Sequence, residues 1–296
     1  MITNGNAHIE LHEDGTRIIQ FNDKLELDYP LNIDIRVNTQ CSFGYNPISK
    51  KAFCSFCHES ARTDGMECDY NLLQSKLKGL PKGIELAIGA NEITIDLYGF
   101  IIWCNKQGYI VNLTINQGHI NRDEKILKSL FLKDGLIKGL GISYRSSLNW
   151  KIPQSILNYN NTVIHVIAGI DSINDVLSLK ERGVKKVLVL GEKNFGFNEG
   201  KVDTNTRKHK EWYWWIGKMF DAFDVVSFDN LALEQLNMKR FFTDEHWNVF
   251  NQGEHSFYIN AVEKYFAPSS RSNHKTNWNE LTIKEYFKQL QHDYST

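Results

Sequence analysis

Apolar runs of strand length alternate with amphipathic helical segments over most of this 296-residue chain. Seven such runs follow residue 30 and are predicted as strands, at residues 31–37, 84–88, 109–115, 137–143, 163–168, 187–190 and 223–228. Continuous apolar strands separated by amphipathic helices are typical of a parallel sheet that is buried on both faces. The pattern therefore predicts an α/β fold, a partial or complete (β/α) TIM-like barrel.

Shorter segments flank the predicted barrel at both ends of the chain. Residues 7–12 and 16–21 surround a short turn and predict an N-terminal β-hairpin. Residues 268–276 are rich in Ser and Asn and are interpreted as a lid or linker, and a short helix is predicted at residues 282–291. The predicted domains are an N-terminal β-hairpin extension, a barrel domain and a C-terminal helical extension, at residues 1–30, 31–250 and 251–296.

Charge and composition argue against several classes of protein. The formal net charge is −1 and the sequence pI is about 6.8, so nothing indicates nucleic acid or a membrane surface as an obligatory partner. No apolar run approaches the ~18 residues of a transmembrane helix, and the polar, acidic start is unlike a secretory signal. Three of the five cysteines are clustered, which fits a reducing interior and predicts a cytoplasmic protein.

The clustered cysteines are Cys41, Cys54 and Cys57, which follow the first predicted barrel strand with C-x12-C-x2-C spacing. Cys thiolates hold Fe–S clusters, and a 4Fe–4S cluster with only three such ligands keeps one iron free to bind another molecule. Turn-forming residues between the first two cysteines predict an excursion that returns the chain to the same place. Cys68 offers an alternative, because four thiolates close a structural zinc site. The spacing alone leaves both metal sites open.

The segment from Cys54 to Cys57 resembles the cluster loop of the radical S-adenosylmethionine (radical SAM) enzymes. Their usual pattern is Cys-x3-Cys-x2-Cys after the first barrel strand, with an aromatic residue before the last Cys, a position that Phe56 takes here. The first spacing is twelve residues in this chain instead of three. The resemblance implies that Cys41, Cys54 and Cys57 hold a 4Fe–4S cluster, that S-adenosylmethionine binds its open iron, and that Phe56 packs against the adenine.

Glycine and polar residues follow several predicted strands, at the end where (β/α) barrels carry their active sites. Residues 89–92 take the place of the family's glycine-rich motif, which receives the methionyl amino group of S-adenosylmethionine. Ser143 and Arg145 take the place of polar residues that contact its carboxylate and ribose. Ile167 and Gly169 match part of a stretch that lines the adenine. The resemblance implies these cofactor-binding residues: Phe56, Gly89, Ala90, Asn91, Glu92, Ser143, Arg145, Ile167 and Gly169.

The resemblance also implies a reaction. Such enzymes cleave S-adenosylmethionine reductively to a 5′-deoxyadenosyl radical that abstracts hydrogen from a substrate, and a reductant such as flavodoxin or ferredoxin is the implied partner. The substrate is a small molecule, a nucleoside or a protein, and no residue is assigned a catalytic role. No cysteine follows Cys104, which argues against an auxiliary cluster and favours a small-molecule or nucleoside substrate, or an activase of glycyl-radical enzymes. The alternative function is a non-catalytic binding module with zinc held by Cys41, Cys54, Cys57 and Cys68.

Overall fold

A computed structural model of the chain describes residues 2–13, 15–22, 24–132, 135–146, 152–159, 161–247 and 255–295. The strands are β1 (Ile2–Asn4), β2 (Ala7–Leu11), β3 (Arg17–Gln20), β4 (Asn32–Arg36), β5 (Gln40–Asn46), β6 (Lys51–Ala52), β7 (Glu85–Gly89), β8 (Ile110–Asn116), β9 (Gly139–Ser143), β10 (Thr162–Ile167), β11 (Lys186–Leu190), β12 (Val225–Phe228), β13 (Ser256–Asn260), β14 (Tyr265–Ala267) and β15 (Thr276–Asn277). The α-helices are α1 (Tyr70–Leu77), α2 (Ile95–Gln107), α3 (Gln117–Ile126), α4 (Gln154–Leu157), α5 (Ile173–Leu177), α6 (Arg207–Trp215), α7 (Gly217–Ala222), α8 (Asn230–Gln235), α9 (Asp244–Trp247) and α10 (Ile283–Ser295). Across the described residues, no helix combines the length and apolar character needed to cross a bilayer.

A ten-stranded sheet forms the centre of the molecule, in the order β12-β11-β10-β9-β8-β7-β4-β13-β14-β15. Neighbouring strands from β12 to β13 run parallel, and β14 and β15 are antiparallel additions. This mostly parallel sheet confirms the predicted α/β class. Within the described segments no strand pairing joins the β12 edge to the β15 edge, so the sheet is open and a closed barrel is not formed there.

Strand β4 illustrates how side chains divide between the two faces of the sheet. Ile33 and Ile35 are fully buried in the core that the helices cover, together with Val37 just beyond the strand. Asp34 and Arg36 alternate with them and face a cavity on the inner side of the sheet. Successive side chains of a strand point to opposite faces, so the same short segment supplies both the core and the cavity wall.

The N-terminal strands form a separate antiparallel sheet, β1-β2-β3, near the amino ends of the main strands. Arg17 of β3 donates to the Glu85 carboxylate at 2.6 Å and to the Leu31 carbonyl. Asn112 of β8 donates to the other oxygen of Glu85 at 2.6 Å. These contacts pair the partly buried polar groups at the amino ends of β4, β7 and β8 with one another.

The segment predicted as a C-terminal extension contributes to the main sheet. Strand β13 pairs in parallel with β4, with Ile259 opposite Ile35, so it extends the sheet beyond the first predicted barrel strand. Phe257 and Phe266 pack with Tyr286 of α10 at ring-centre distances of 5.1 to 5.7 Å. This aromatic cluster attaches the last helix to the outer face of the sheet.

Candidate cofactor and substrate site

A cavity of about 300 Å³ lies at the carboxyl ends of the parallel strands. Residues from β4, β7, β8, β9, β10, β11 and β13, together with the loops that follow them, line it. Cys41, Cys54 and Cys57 all lie in its wall. Three thiols, of which the first is separated from the others by a twelve-residue insertion, therefore face one cavity, at the end of the sheet where parallel α/β proteins bind ligands.

The long spacing between Cys41 and Cys54 folds as a β-hairpin. Cys41 lies at the start of β5, and β5 pairs with β6 so that Tyr45 is opposite Ala52. The hairpin returns the chain to the cavity, where the Cys57 N–H donates to the Cys54 carbonyl at 3.1 Å in a tight turn. Despite the twelve residues between Cys41 and Cys54, the three thiols therefore face the same cavity.

The three thiols influence one another electrostatically. Burial raises the pKa of Cys41 to about 12; a backbone hydrogen bond from Phe43 opposes this, and Cys54 and Cys57 raise it further. Burial also raises the pKa of Cys57. Such thiols hold their protons until a metal replaces them, because a coordinating thiol is deprotonated outright. The donor set suits a metal centre that itself supplies the positive charge.

Cys68 belongs to a different environment. It is buried in the hydrophobic core, its backbone N–H donates to the Val37 carbonyl at 2.8 Å, and it is not among the described residues that line the cavity. Burial raises its pKa to about 12, with Glu67 as the next cause and none of the other thiols contributing. Its contacts therefore do not link it to the three cysteines in the cavity.

The arrangement disagrees with a zinc site made by four thiolates. A tetrahedral zinc with Zn–S bonds of 2.3 Å would hold its sulfurs only about 3.8 Å apart. In the described segments, no group of three or more His, Cys, Asp or Glu side chains is arranged to hold a metal ion. A 4Fe–4S cluster places a different iron behind each thiolate, so a shared cavity wall is the arrangement that its ligands would need.

Most of the predicted cofactor-binding residues also line the cavity. Those that do are Phe56, Gly89, Ala90, Asn91, Ser143, Arg145 and Ile167. Asn91 additionally joins two loops, because its N–H donates to Asn38 Oδ1 at 2.8 Å and its side-chain amide donates to the Asn38 carbonyl at 3.0 Å. The carboxyl ends of β7, β9 and β10 and the cysteine loop thus line the same cavity.

Arg145 has an incompletely satisfied guanidinium in this cavity. Its central carbon lies 4.8 Å from the centre of the Phe56 ring, which fixes the two side chains against each other. One terminal nitrogen donates to the Tyr144 carbonyl, but Arg145 Nε is buried without a hydrogen-bond partner among the described residues. A buried donor without a partner costs free energy, so this position suits a ligand with an acceptor such as a carboxylate.

Glu92 is not among the cavity-lining residues, unlike its neighbours in the predicted motif. Its carboxylate accepts from the Ser42 N–H at 2.8 Å, from the Ser42 hydroxyl at 2.7 Å and from Arg122. Burial would raise the pKa of Glu92, but His119, Ser42 and Arg122 together lower it to about 2. Because Ser42 directly follows Cys41, Glu92 positions the start of the cysteine loop relative to β7 and α3.

We expect Glu92→Gln to lower the free energy of unfolding at pH 7 by about 1.5–3 kcal/mol, because it removes a charge that its donors compensate. A carboxyl group whose pKa is lowered on folding stabilises the protein above its ordinary pKa, here 4.5, and loses that contribution as the pH falls towards 2. The wild type should therefore lose its advantage over the variant between these values. Urea unfolding at pH 7 and at pH 3 measures both effects, and exposed Glu280→Gln is the control. An equal loss in the two variants would contradict the role given to Glu92.

Gly169 likewise lies outside the cavity wall in the described part of the chain. Its φ of +89° is in the left-handed region that favours glycine, and an added Cβ would lie 2.0 Å from the His209 ring. His209 Nε2 in turn lies 3.6 Å from the Glu192 carboxylate. The structure thus gives Gly169 a packing role in the turn after β10.

His165 of β10 also lines the cavity. It faces Gly141 of β9, where an added Cβ would lie 2.5 Å from the imidazole, so the missing side chain provides its space. Burial lowers the pKa of His165 to about 4, with Arg145 as a further cause, and the ring is neutral at pH 7.

The sequence analysis missed a polar network on the side of the cavity formed by β4 and the loop after β11. Lys193 Nζ lies 2.9 Å from Ser270 Oγ and 3.3 Å from His58 Nε2. Glu59 joins it, with one oxygen 3.1 Å from His58 Nε2 and the other 2.5 Å from Arg36 Nε. Burial would raise the pKa of Glu59, but His58, Arg36 and Lys193 lower it to about 2. In the sequence, only Asp34 and Arg36 of β4 indicated a polar wall on this side of the cavity. The other residues of the network come from loops that are distant from β4 in the sequence.

Comparison with known proteins identifies a shared fold. No protein-family model matches the chain, and no curated protein does either. Solved structures with a similar fold include Streptococcus suis SuiB bound to S-adenosylmethionine, with a TM-score of 0.56 and 16% sequence identity over 90% of this chain and 68% of that chain. A second SuiB structure gives a TM-score of 0.53 and 16% identity over 88% of this chain and 66% of that chain. The chain thus spans about two thirds of SuiB, and at this identity the likeness shows the fold alone.

Proposed function

We propose that this protein is a radical SAM enzyme, in which Cys41, Cys54 and Cys57 hold a 4Fe–4S cluster. The observation that carries the proposal is that these three thiols, and not Cys68, face one cavity at the carboxyl ends of the parallel strands. The motif resemblance and the fold shared with SuiB, whose crystal structure holds S-adenosylmethionine, support the same conclusion. A reductant such as flavodoxin or ferredoxin is the proposed partner.

In this proposal, different cavity residues bind different parts of S-adenosylmethionine. Phe56 and Ile167 offer apolar surface to the adenine, and Arg145 offers its unpaired Nε to an acceptor of the methionyl or ribose part. Gly89 has no side chain, so the backbone at the end of β7 is open to a ligand. The bound cluster would supply the electron that cleaves the carbon–sulfur bond of S-adenosylmethionine. The protein's part is to orient the cofactor and to exclude water from it.

Anaerobic reconstitution with iron and sulfide tests this function. We expect a brown protein that converts S-adenosylmethionine to 5′-deoxyadenosine and methionine when dithionite is added. The control omits dithionite and should form neither product. A colourless protein that retains zinc after reconstitution would instead support the binding module, and a cluster-bearing protein without cleavage would contradict the proposed reaction.

A further inference from the structure

Asp34 lies deeper in the cavity than the residues proposed for S-adenosylmethionine. On β4 it is opposite Ala87 of β7, whereas Gly89 is opposite Arg36, one inward-facing layer nearer the carboxyl ends. On its other side Asp34 is opposite Tyr258 of β13, and all of these residues line the cavity. Asp34 is therefore placed to meet a second molecule that binds below the cofactor.

In the described part of the chain no hydrogen bond to the Asp34 carboxylate is present, and its side chain is exposed to the cavity. Burial raises its pKa to about 6; Lys193 acts against this and Glu85 adds to it. Lys193 directs its ammonium to Ser270 and His58, and Glu85 is already paired with Arg17. The carboxylate therefore keeps its acceptor positions free for a molecule that enters the cavity.

The groups around Asp34 favour a cationic donor. Ala87 leaves space beside the carboxylate, the His165 ring across the cavity is neutral, and burial raises the pKa of Tyr258 so that it keeps its proton. Two cations in the same wall already have partners, because Arg36 pairs with Glu59 and Lys193 contacts Ser270 and His58. The Asp34 carboxylate, which lies next to an aromatic ring and lacks such a partner, suits an ammonium ion through a charge-assisted hydrogen bond and contact with the ring face.

We propose that Asp34 binds a protonated amino group of the substrate, so that the substrates of this site are primary amines. This inference rests on the function proposed above and adds the substrate class to it. Asp34 is a substrate-binding residue on this account, and the network of Lys193, Ser270 and His58 at the same side of the cavity is available to an acceptor elsewhere on the amine.

Two probes of equal chain length, n-butylamine and 1-butanol, test the inference on the reconstituted protein with S-adenosylmethionine. Saturation-transfer NMR at pH 7.5 reports the binding of each probe without requiring turnover. We expect Asp34→Asn to weaken n-butylamine binding by about tenfold or more, the equivalent of one charge-assisted contact, and to leave 1-butanol unchanged. Asp96→Asn, an exposed carboxylate on α2, is the control and should change neither. Unchanged n-butylamine binding in Asp34→Asn, or equal weakening of both probes, would overturn the inference.

The Tm of thermal unfolding provides a second readout. A merely structural role of Asp34 would change this Tm in the opposite direction. Because its surroundings in the cavity raise the pKa of Asp34, the ionised form opposes folding at pH 7.5, and Asp34→Asn should raise the Tm by about 2 °C, whereas loss of a structural contact would lower it. Asp34→Ala keeps the NMR test informative should the Asn variant not fold. Cleavage of S-adenosylmethionine with no Asp34-dependent amine binding would overturn only the substrate class, whereas Asp34-dependent binding without cleavage would overturn only the proposed reaction.

Discussion

Alanine in place of Cys41, Cys54 or Cys57 should abolish iron incorporation and S-adenosylmethionine cleavage, while Cys68→Ala should retain both. The three thiols line one cavity, and Cys68 lies in the core beside Val37. Changes outside the ligand set typically cost ~10–100-fold in metal affinity, so the loss of a ligand should cost more than that. Iron and sulfide content per chain after anaerobic reconstitution, together with 5′-deoxyadenosine formation, measures the effect.

The matched controls for this series are the two cysteines outside the cavity. Cys68 and Cys104 are both buried, so Cys68→Ala and Cys104→Ala report what the loss of a buried thiol does to stability alone. Both should unfold at a modestly lower temperature and still take up iron. A full complement of iron in Cys54→Ala, or its loss in Cys68→Ala, would refute the ligand assignment and return the four-thiolate zinc site to consideration.

The sequence predicted the strands of the parallel sheet well, because their long apolar runs carry a strong signal. The strand predicted at residues 84–88 is observed as Glu85–Gly89, and the one predicted at residues 187–190 as Lys186–Leu190. Helix α3 begins at Gln117, directly after β8, because the Asn116 side chain accepts from the Gly118 N–H and caps it. Apolar runs thus locate the strands, whereas a helix boundary depends on the capping residue.

The parts of the site that escaped prediction depend on pairings between distant segments. The interpretation of β4 as a fully buried strand concealed Asp34 and Arg36, whose alternation with Ile33 and Ile35 signals one polar face. Glu92 has its partner Arg122 thirty residues later, and no periodicity indicates such an ion pair. The spacing of the three cysteines has chemical meaning and pointed to their common position in the cavity, whereas a network assembled by the fold has no signature in the sequence.

Gly44→Ala should disrupt the cysteine loop, although the change adds only a single methyl group. An added Cβ at this position would lie 2.4 Å from the Ala61 carbonyl oxygen and 2.8 Å from the Arg62 nitrogen, both of them backbone atoms that cannot rotate away. The same strand segment is held there because the Tyr45 N–H donates to the Ala61 carbonyl at 2.8 Å. Overpacking of this kind typically costs about 1–3 kcal/mol, and relief of the clash must separate β5 from residues 61–63. Since β5 carries Cys41, we expect most of the iron incorporation to be lost.

Gly99→Ala is the matched control for Gly44→Ala, because nothing lies within 4 Å of an added Cβ at Gly99. Gly99 lies in α2, where alanine is the better helix former by about 0.5–1 kcal/mol, so this variant should be at least as stable as the wild type and take up full iron. Urea unfolding and iron content on the two variants separate the clash from any general effect of a Gly-to-Ala change. If Gly44→Ala matched Gly99→Ala in both measurements, the close packing of β5 against residues 61–63 would not be what brings Cys41 to the cavity. The hairpin between the first two cysteines would then be a passive insertion, and the position of Cys41 would depend on other contacts, such as those of Ser42 with Glu92 and Arg122.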